Sequence, residues 1–254
     1  MDNGASRKRT GIVGIPPLDV IKKLRRNNAL IFDLDEPIVQ SSIEAASPFL
    51  PSVYCAILRT VMINAVSLDL DEIYIDVGPG KCDSAMHTAT ILEDSLPRTR
   101  IVRTKNQDRI DFGTPICRTR MGLLEKLAAI TASVTVPEPH QELAPCPPTA
   151  GFWGVPPRDF SLLSLFPETT HVYGWSRCME NKTPDNIELE EHFNPAIPTV
   201  FFAQSFCAKT ALARHLAGRH PHALYVDCDV SAGSSVKAKI QAFLELSEVF
   251  NAAG

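Results

Sequence analysis

The stretch "DVGPGKCDSAMH", Asp76 to His87, gathers the groups best able to do chemistry in this sequence. Gly78, Pro79 and Gly80 form a turn, and Lys81 and Cys82 open the helical pattern behind it. A helix start favours a thiolate, because the backbone dipole places partial positive charge there. Glycines in the turn let a bulky ligand approach the backbone. A thiolate beside an open glycine turn suits a metal cluster or a reactive cysteine. The turn lacks the Lys-Ser/Thr ending of a P-loop and is not G-x-G-x-x-G, so nucleotide binding has no motif behind it. The alternative is a buried thiol that acts as a small hydrophobe.

Other candidates are weaker. His87 follows Cys82 by five residues and could share its helix face, or stand on the surface. In "SFCAKTALARHL" Cys207 precedes a helix and Lys209 lies in its first turn, which fits an anion site or a buried cysteine. "GWSRCMENK" puts Trp175 and Arg177 just after a strand end, a natural place for cofactor contact. Cys228 lies in an apolar strand, Cys117 and Cys178 look loop-like, and "RHPH" (Arg219 to His222) is a solvated loop or a metal site. No Ser-His-Asp order, H-E-x-x-H or paired C-x-x-C is visible, which disfavours a hydrolase or zinc protein. No catalytic residue can be named.

The elements that must position these groups alternate. "ALIFDLD", "EIYIDVG" and "RTRIVRT" read as strands, with helices over "YCAILRTVMINAVSL" and "HTATILEDS". A helix at "RMGLLEKLAAI" follows, then strands "THVYGW" and "ALYVDCD" with helices "AKTALARHLAG" and "VKAKIQAFLEL". Strands alternating with helices of this length predict parallel sheets with crossover helices. In such sheets ligands bind where the strand carboxyl ends open into a crevice. The loops after Asp76 and Asp227 are therefore the places to look.

The chain also repeats itself. "GIVGIPPLD" at Gly11 returns as "GFWGVPPRD" at Gly151. "PSVYCA" at Pro51 is matched by "PTVFFA" at Pro198, and "IYIDVGPG" by "LYVDCDVSAG". Three landmarks in one order predict a duplication into two Rossmann-like α/β lobes, residues 1–145 and 146–254. The chemistry should lie where the copies differ, "GPGKC" against "DVSAG".

With 254 residues, 44% hydrophobic and 21% charged, the chain can bury a sizeable core, and its net charge of -4 gives no general reason to expect nucleic acid. No apolar run reaches the ~20 residues that cross a bilayer, and no signal-peptide pattern is visible. A cytoplasmic protein is expected, with its seven cysteines reduced.

"PSVYCAILRTVMINAVSLDLDEIYIDVGPGKC" resembles the nitrogenase component 1-like family, in which a helix with a Cys or small residue leads to a strand ending His-Gly-Pro-x-Gly-Cys. "ILEDSLPRTRIVRTKNQDRIDFG" is similar to that family's next stretch, which ends in an acidic-x-Phe-Gly element. The resemblance implies Cys82 as an iron–sulfur ligand, joined by Cys55, 27 residues earlier, and Cys146, 64 later. This chain lacks the family's His and the Gly directly before Cys, and it has two lobes where members usually have three.

Two functions follow as expectations, with a third kept open. In the first, an oxidoreductase subunit holds an iron–sulfur cluster, of 4Fe-4S type, through Cys82, Cys55 and Cys146. It would take electrons from an ATP-dependent iron-protein reductase and pass them to a cofactor or tetrapyrrole-like substrate between the lobes, as a homodimer or a heterodimer with a related subunit. Gly78, Gly80, Lys81, Trp175 and Arg177 would contact the cofactor. In the second, a non-catalytic carrier or assembly scaffold binds a metal cofactor or small anion. The third is an enzyme with Cys82 as nucleophile.

Overall fold

Short apolar strands alternate with helices along the whole chain, as the sequence pattern predicts. The computed structural model describes residues 7–109, 112–113, 115–139 and 143–252. The chain divides into two compact units, one of Met1–Arg109 with Val134–Pro137 and Lys182–Asp185, the other of Ile110–Ser133, Glu138–Asn181 and Asn186–Gly254.

The first unit runs β1 (Arg9–Val13), α1 (Leu18–Arg26), β2 (Leu30–Asp33), α2 (Ala56–Ser67), β3 (Glu72–Asp76), α3 (Asp83–Ser95) and β4 (Arg100–Thr104). Its four strands are parallel, in the order β2-β1-β3-β4. The second unit holds α4 (Leu123–Ser133), β5 (Gly151–Gly154), β6 (His171–Tyr173), α5 (Trp175–Asn181), α6 (Ile187–Glu191), β7 (Thr199–Gln204), α7 (Thr210–Arg219), β8 (Ala223–Cys228) and α8 (Ser234–Ala252). Its strands are also parallel, in the order β6-β5-β7-β8. Both units are therefore Rossmann-like α/β folds with one shared strand order.

The division falls at Arg109, not at residue 145, because α4 packs on α5 and on the 3-10 turns of the second unit. Lys126 of α4 is fully buried there and donates to the carbonyls of Thr119 (2.7 Å) and Thr170 (2.5 Å). Burial pulls its pKa down to about 8.

The repeat holds as topology, but only its first landmark is in register. "GIVG" and "GFWG" are the ends of the central strands β1 and β5, not turns. "PSVYCA" precedes α2 whereas "PTVFFA" is strand β7, and "IYID" is β3 whereas "LYVD" is the edge strand β8. Strand order instead equates β3 with β7 and β4 with β8.

Each sheet builds its own core. Ile12, Leu34, Met62 and Ile73 are fully buried in the first unit, and Phe152, Trp153, Phe201 and Phe202 in the second. Phe152 stacks on Phe202 and Trp153 on Phe201, at centroid distances of 5.9 and 5.8 Å. Burying such side chains stabilises by about 1.5–3 kcal/mol each. No helix among the described residues is long and apolar enough to cross a membrane.

Candidate functional site

The chain reverses direction across the first sheet at β1: β2 lies on one side of it and β3 on the other. The carboxyl ends of these strands are the place where open α/β sheets hold ligands. Four charged side chains collect there: Asp33 at the end of β2, Asp35 just beyond it, Asp76 at the end of β3, and Lys81 in the turn before α3.

Local hydrogen bonds set their positions. The Asp35 N–H donates to Asp33 Oδ1 (3.1 Å), and the Gly14 N–H donates to Asp35 Oδ2 (2.9 Å). Asn64 of α2, fully buried, pins this segment from beneath. Its Nδ2 donates to the carbonyls of Leu34 (2.9 Å) and Glu36 (2.6 Å), and its Oδ1 accepts from the Val39 N–H (3.0 Å). On the other side Asp76 Oδ1 accepts from the N–H groups of Gly78 (3.2 Å) and Asn106 (3.0 Å). Asn106 in turn donates to the carbonyls of Ile15 (3.0 Å), Pro16 (3.3 Å) and Lys182 (3.3 Å).

Lys81 reaches back over the end of β1. Its Nζ lies 3.7 Å from Asp76 Oδ2, an ion pair too long for a hydrogen bond. The Lys81 side chain is 9% exposed and that of Asp76 is fully buried. Gly14, at φ +74°, leaves the space that the ammonium uses.

The carboxyl groups are held in unfavourable surroundings for charge. Burial pushes the Asp33 pKa well above the usual range, and the neighbouring charges of Asp35 and Glu36 push it further. Burial also raises Asp35 and Asp76, against the opposing pull of Lys81 and of backbone N–H groups. The quartet therefore sets three carboxyl groups, in surroundings that disfavour their charge, beside an ammonium, chemistry suited to polar recognition.

The second unit shows that the fold does not require these charges. Gly11 and Gly151 occupy the same register position against their neighbours. Counting from them, Asp33 corresponds to Val172, Asp35 to Gly174 and Asp76 to Phe202. Five residues on, Lys81 corresponds to Cys207, and Gly80 to Phe206. Both Gly80 and Phe206 have positive φ, +81° and +63°, so the same turn is made in both units.

The glycines expected to receive a cofactor are taken by the chain itself. A β-carbon at Gly80 would run into the Pro184 carbonyl, and one at Gly78 would lie 2.9 Å from the Lys105 backbone. The start of α1 is closed to anions as well. Pro16 and Pro17 have no N–H, and the Leu18 N–H donates to Asp108 Oδ2 (2.8 Å).

Two of the three expected cluster cysteines belong to the first unit. Cys55 is buried at the N-cap of α2 and Cys82 half-buried at the N-cap of α3, two helices that pack together. Cys146 belongs to the second unit, where its carbonyl is bonded to the His171 ring (2.8 Å). Among the described residues no three His, Cys, Asp or Glu side chains are grouped to hold a metal ion. Cys55 and Cys82 alone do not make a cluster ligand set. Ile110 and Asp111 of the "DRIDFG" element lie outside the described residues.

The other candidates lie in the second unit, His87 excepted. The Trp175 ring lies 4.4 Å beneath the Lys209 ammonium, which is ion-paired with Glu190. Arg177 pairs with the buried Glu180 at 3.3 Å. His220 of "RHPH" is buried rather than solvated, packed on Phe193 and Phe201 and hydrogen-bonded to the Asn194 carbonyl. Cys207 lines a broad cavity of about 680 Å³ with Arg214, Tyr225 and Asp227. His87 is exposed on α3.

No protein-family model matches this chain, and no curated protein matches it.

Proposed function

We propose that this chain is a ligand-binding α/β protein of the carrier or scaffold kind, with its ligand on the carboxyl edge of the first unit's sheet. Asp33, Asp35, Asp76 and Lys81 make the seat. One observation carries this reading: two edges of the same topology differ in that one holds three carboxyl groups and an ammonium where the other holds Val172, Gly174, Phe202 and Cys207. Burying carboxylates opposes folding unless something compensates them. The second unit builds the same topology without them, so the topology alone does not call for these charges.

The test is amide chemical-shift mapping of the whole protein against a panel of small polar compounds. Binding should move the Gly14, Gly78 and Asn106 amides and leave Gly154 and Gln204 still. Shifts confined to the second unit's edge would overturn the assignment. A nitrogenase-like redox role rests on the family resemblance alone. Iron and acid-labile sulfide in anaerobically purified protein, lost in Cys82→Ala, would be needed to restore it.

A further inference from the structure

Asp76 is only half satisfied. One oxygen accepts two backbone N–H bonds, while Oδ2, buried, accepts none. The closest cation, Lys81 Nζ, stops at 3.7 Å. Buried carboxylate oxygens are normally hydrogen-bonded, and one left open points to a donor that completes the site. The same ammonium fills the volume that Gly14 leaves by lacking a side chain, 2.7 Å from where a β-carbon would stand. Its charge also acts on Asp33 and Asp35.

Resting on the reading of this edge as a ligand seat, we infer that the seat takes a small aliphatic amine, whose ammonium replaces the Lys81 head group among Asp33, Asp35 and Asp76. Lys81 is a tethered occupant, and the free amine is its competitor. An ammonium brings three N–H donors on a compact charge, enough to close Asp76 Oδ2 and meet a second carboxylate. The lysine stem is long and flexible, so the displaced head can turn out to solvent from the start of α3.

Other ligand classes fit less well. A divalent cation needs several oxygens within about 2.6 Å of one point, and among the described residues no three acidic side chains are grouped that tightly. A phosphate would meet three carboxyl groups beside a helix start already occupied by Asp108. A neutral polyol could bond to the carboxylates but would leave their charge uncompensated once Lys81 moved. An amine replaces charge with charge, so the carboxyl groups keep the countercharge that Lys81 gave them.

Calorimetric titration of the whole protein with 1,4-diaminobutane and n-butylamine tests this. Saturable uptake is expected. Lys81→Met, which removes the internal competitor, should bind about tenfold more tightly, as when an occluded state is removed. Asp76→Asn should bind at least about tenfold more weakly, the loss of one charge-assisted bond. Tetramethylammonium, a cation without N–H donors, should not compete.

Absence of saturable uptake by the wild-type protein overturns the inference, as does equal competition by tetramethylammonium. So does a folded Lys81→Met variant that binds no tighter. Should that variant not fold, saturable uptake by the wild type and the failure of tetramethylammonium to compete decide alone. A neutral nucleoside or polyol that moves the Gly14 and Gly78 amides while no amine does would overturn the amine and leave the seat. If nothing moves those amides, both readings fall.

Discussion

The Lys81 ammonium lies 2.7 Å from the point where a β-carbon on Gly14 would stand, and Gly14 is at φ +74°. One residue thus meets two demands: a left-handed backbone and room for a charge. Gly14→Ala should lose about 1–2 kcal/mol to the backbone conformation alone, and more from evicting Lys81. Lys81→Ala in the same chain should recover only the second part. Denaturant midpoints of the single and double variants form the cycle that separates them. An additive pair would show that the two residues do not meet.

The raised carboxyl groups give stability a slope with pH. A group whose folded pKa lies above its unfolded value contributes stability that is full below the ordinary carboxylate range, near ~4, and is lost as pH rises through the folded value. Asp33, raised furthest by burial and by Asp35 and Glu36, should dominate. Urea midpoints should therefore fall as pH climbs out of the carboxylate range, and Asp33→Asn should flatten that fall. A profile that rises across the same window in the parent protein contradicts the burial of these groups.

Asn64 shows how the site depends on a residue that touches none of its charges. Its amide holds the Leu34 and Glu36 carbonyls on either side of Asp35. Asn64→Ala leaves these carbonyls unsatisfied and should cost about 1–3 kcal/mol, read as a lower melting temperature. The Asp35 amide resonance should broaden or shift in the same variant. Asn64→Asp, which keeps only an acceptor, should do no better.

Thiol reactivity should follow burial. Cys117 is pushed up to about 12 by burial and the Glu180 carboxylate, and Cys228 to about 11 by burial and Asp227. Brief alkylation of the native protein at mildly alkaline pH, read by peptide mass, should mark the half-buried Cys82, Cys146 and Cys207 first. Early labelling of Cys117 would show that the second unit opens there.

Most helices, the four edge strands and the inner strand β3 are legible from the sequence because their patterns are long or their runs rich in Ile, Val and Tyr. The inner strands β1, β5 and β7 are not. β1 and β5 are five and four residues long, are buried apart from the start of β1, and are followed by Pro-Pro, so they carry no alternation and look like turns. Missing them moved the repeat out of register and paired β3 with β8. The site suffered the same way. Lys81 is marked by its glycine turn, but Asp33 and Asp35 read as the end of an apolar strand, since only strand order brings them beside Gly14 and Asp76. Spacing of acids around a first glycine turn, Gly14 to Asp33 and Asp35, was the signal available.

The segment Lys182–Asp185 belongs to the first unit, where Pro184 covers Gly80 and the Lys182 carbonyl accepts from Asn106. Its consequence is one of timing. When the ribosome has finished Arg109, every strand of the first sheet exists but its covering segment does not. At ~5–20 residues per second, the 76 residues up to Asp185 take roughly 4–15 seconds more. The first unit is thus begun first and closed late, and for that interval Gly80 and Asn106 wait uncovered on the nascent chain.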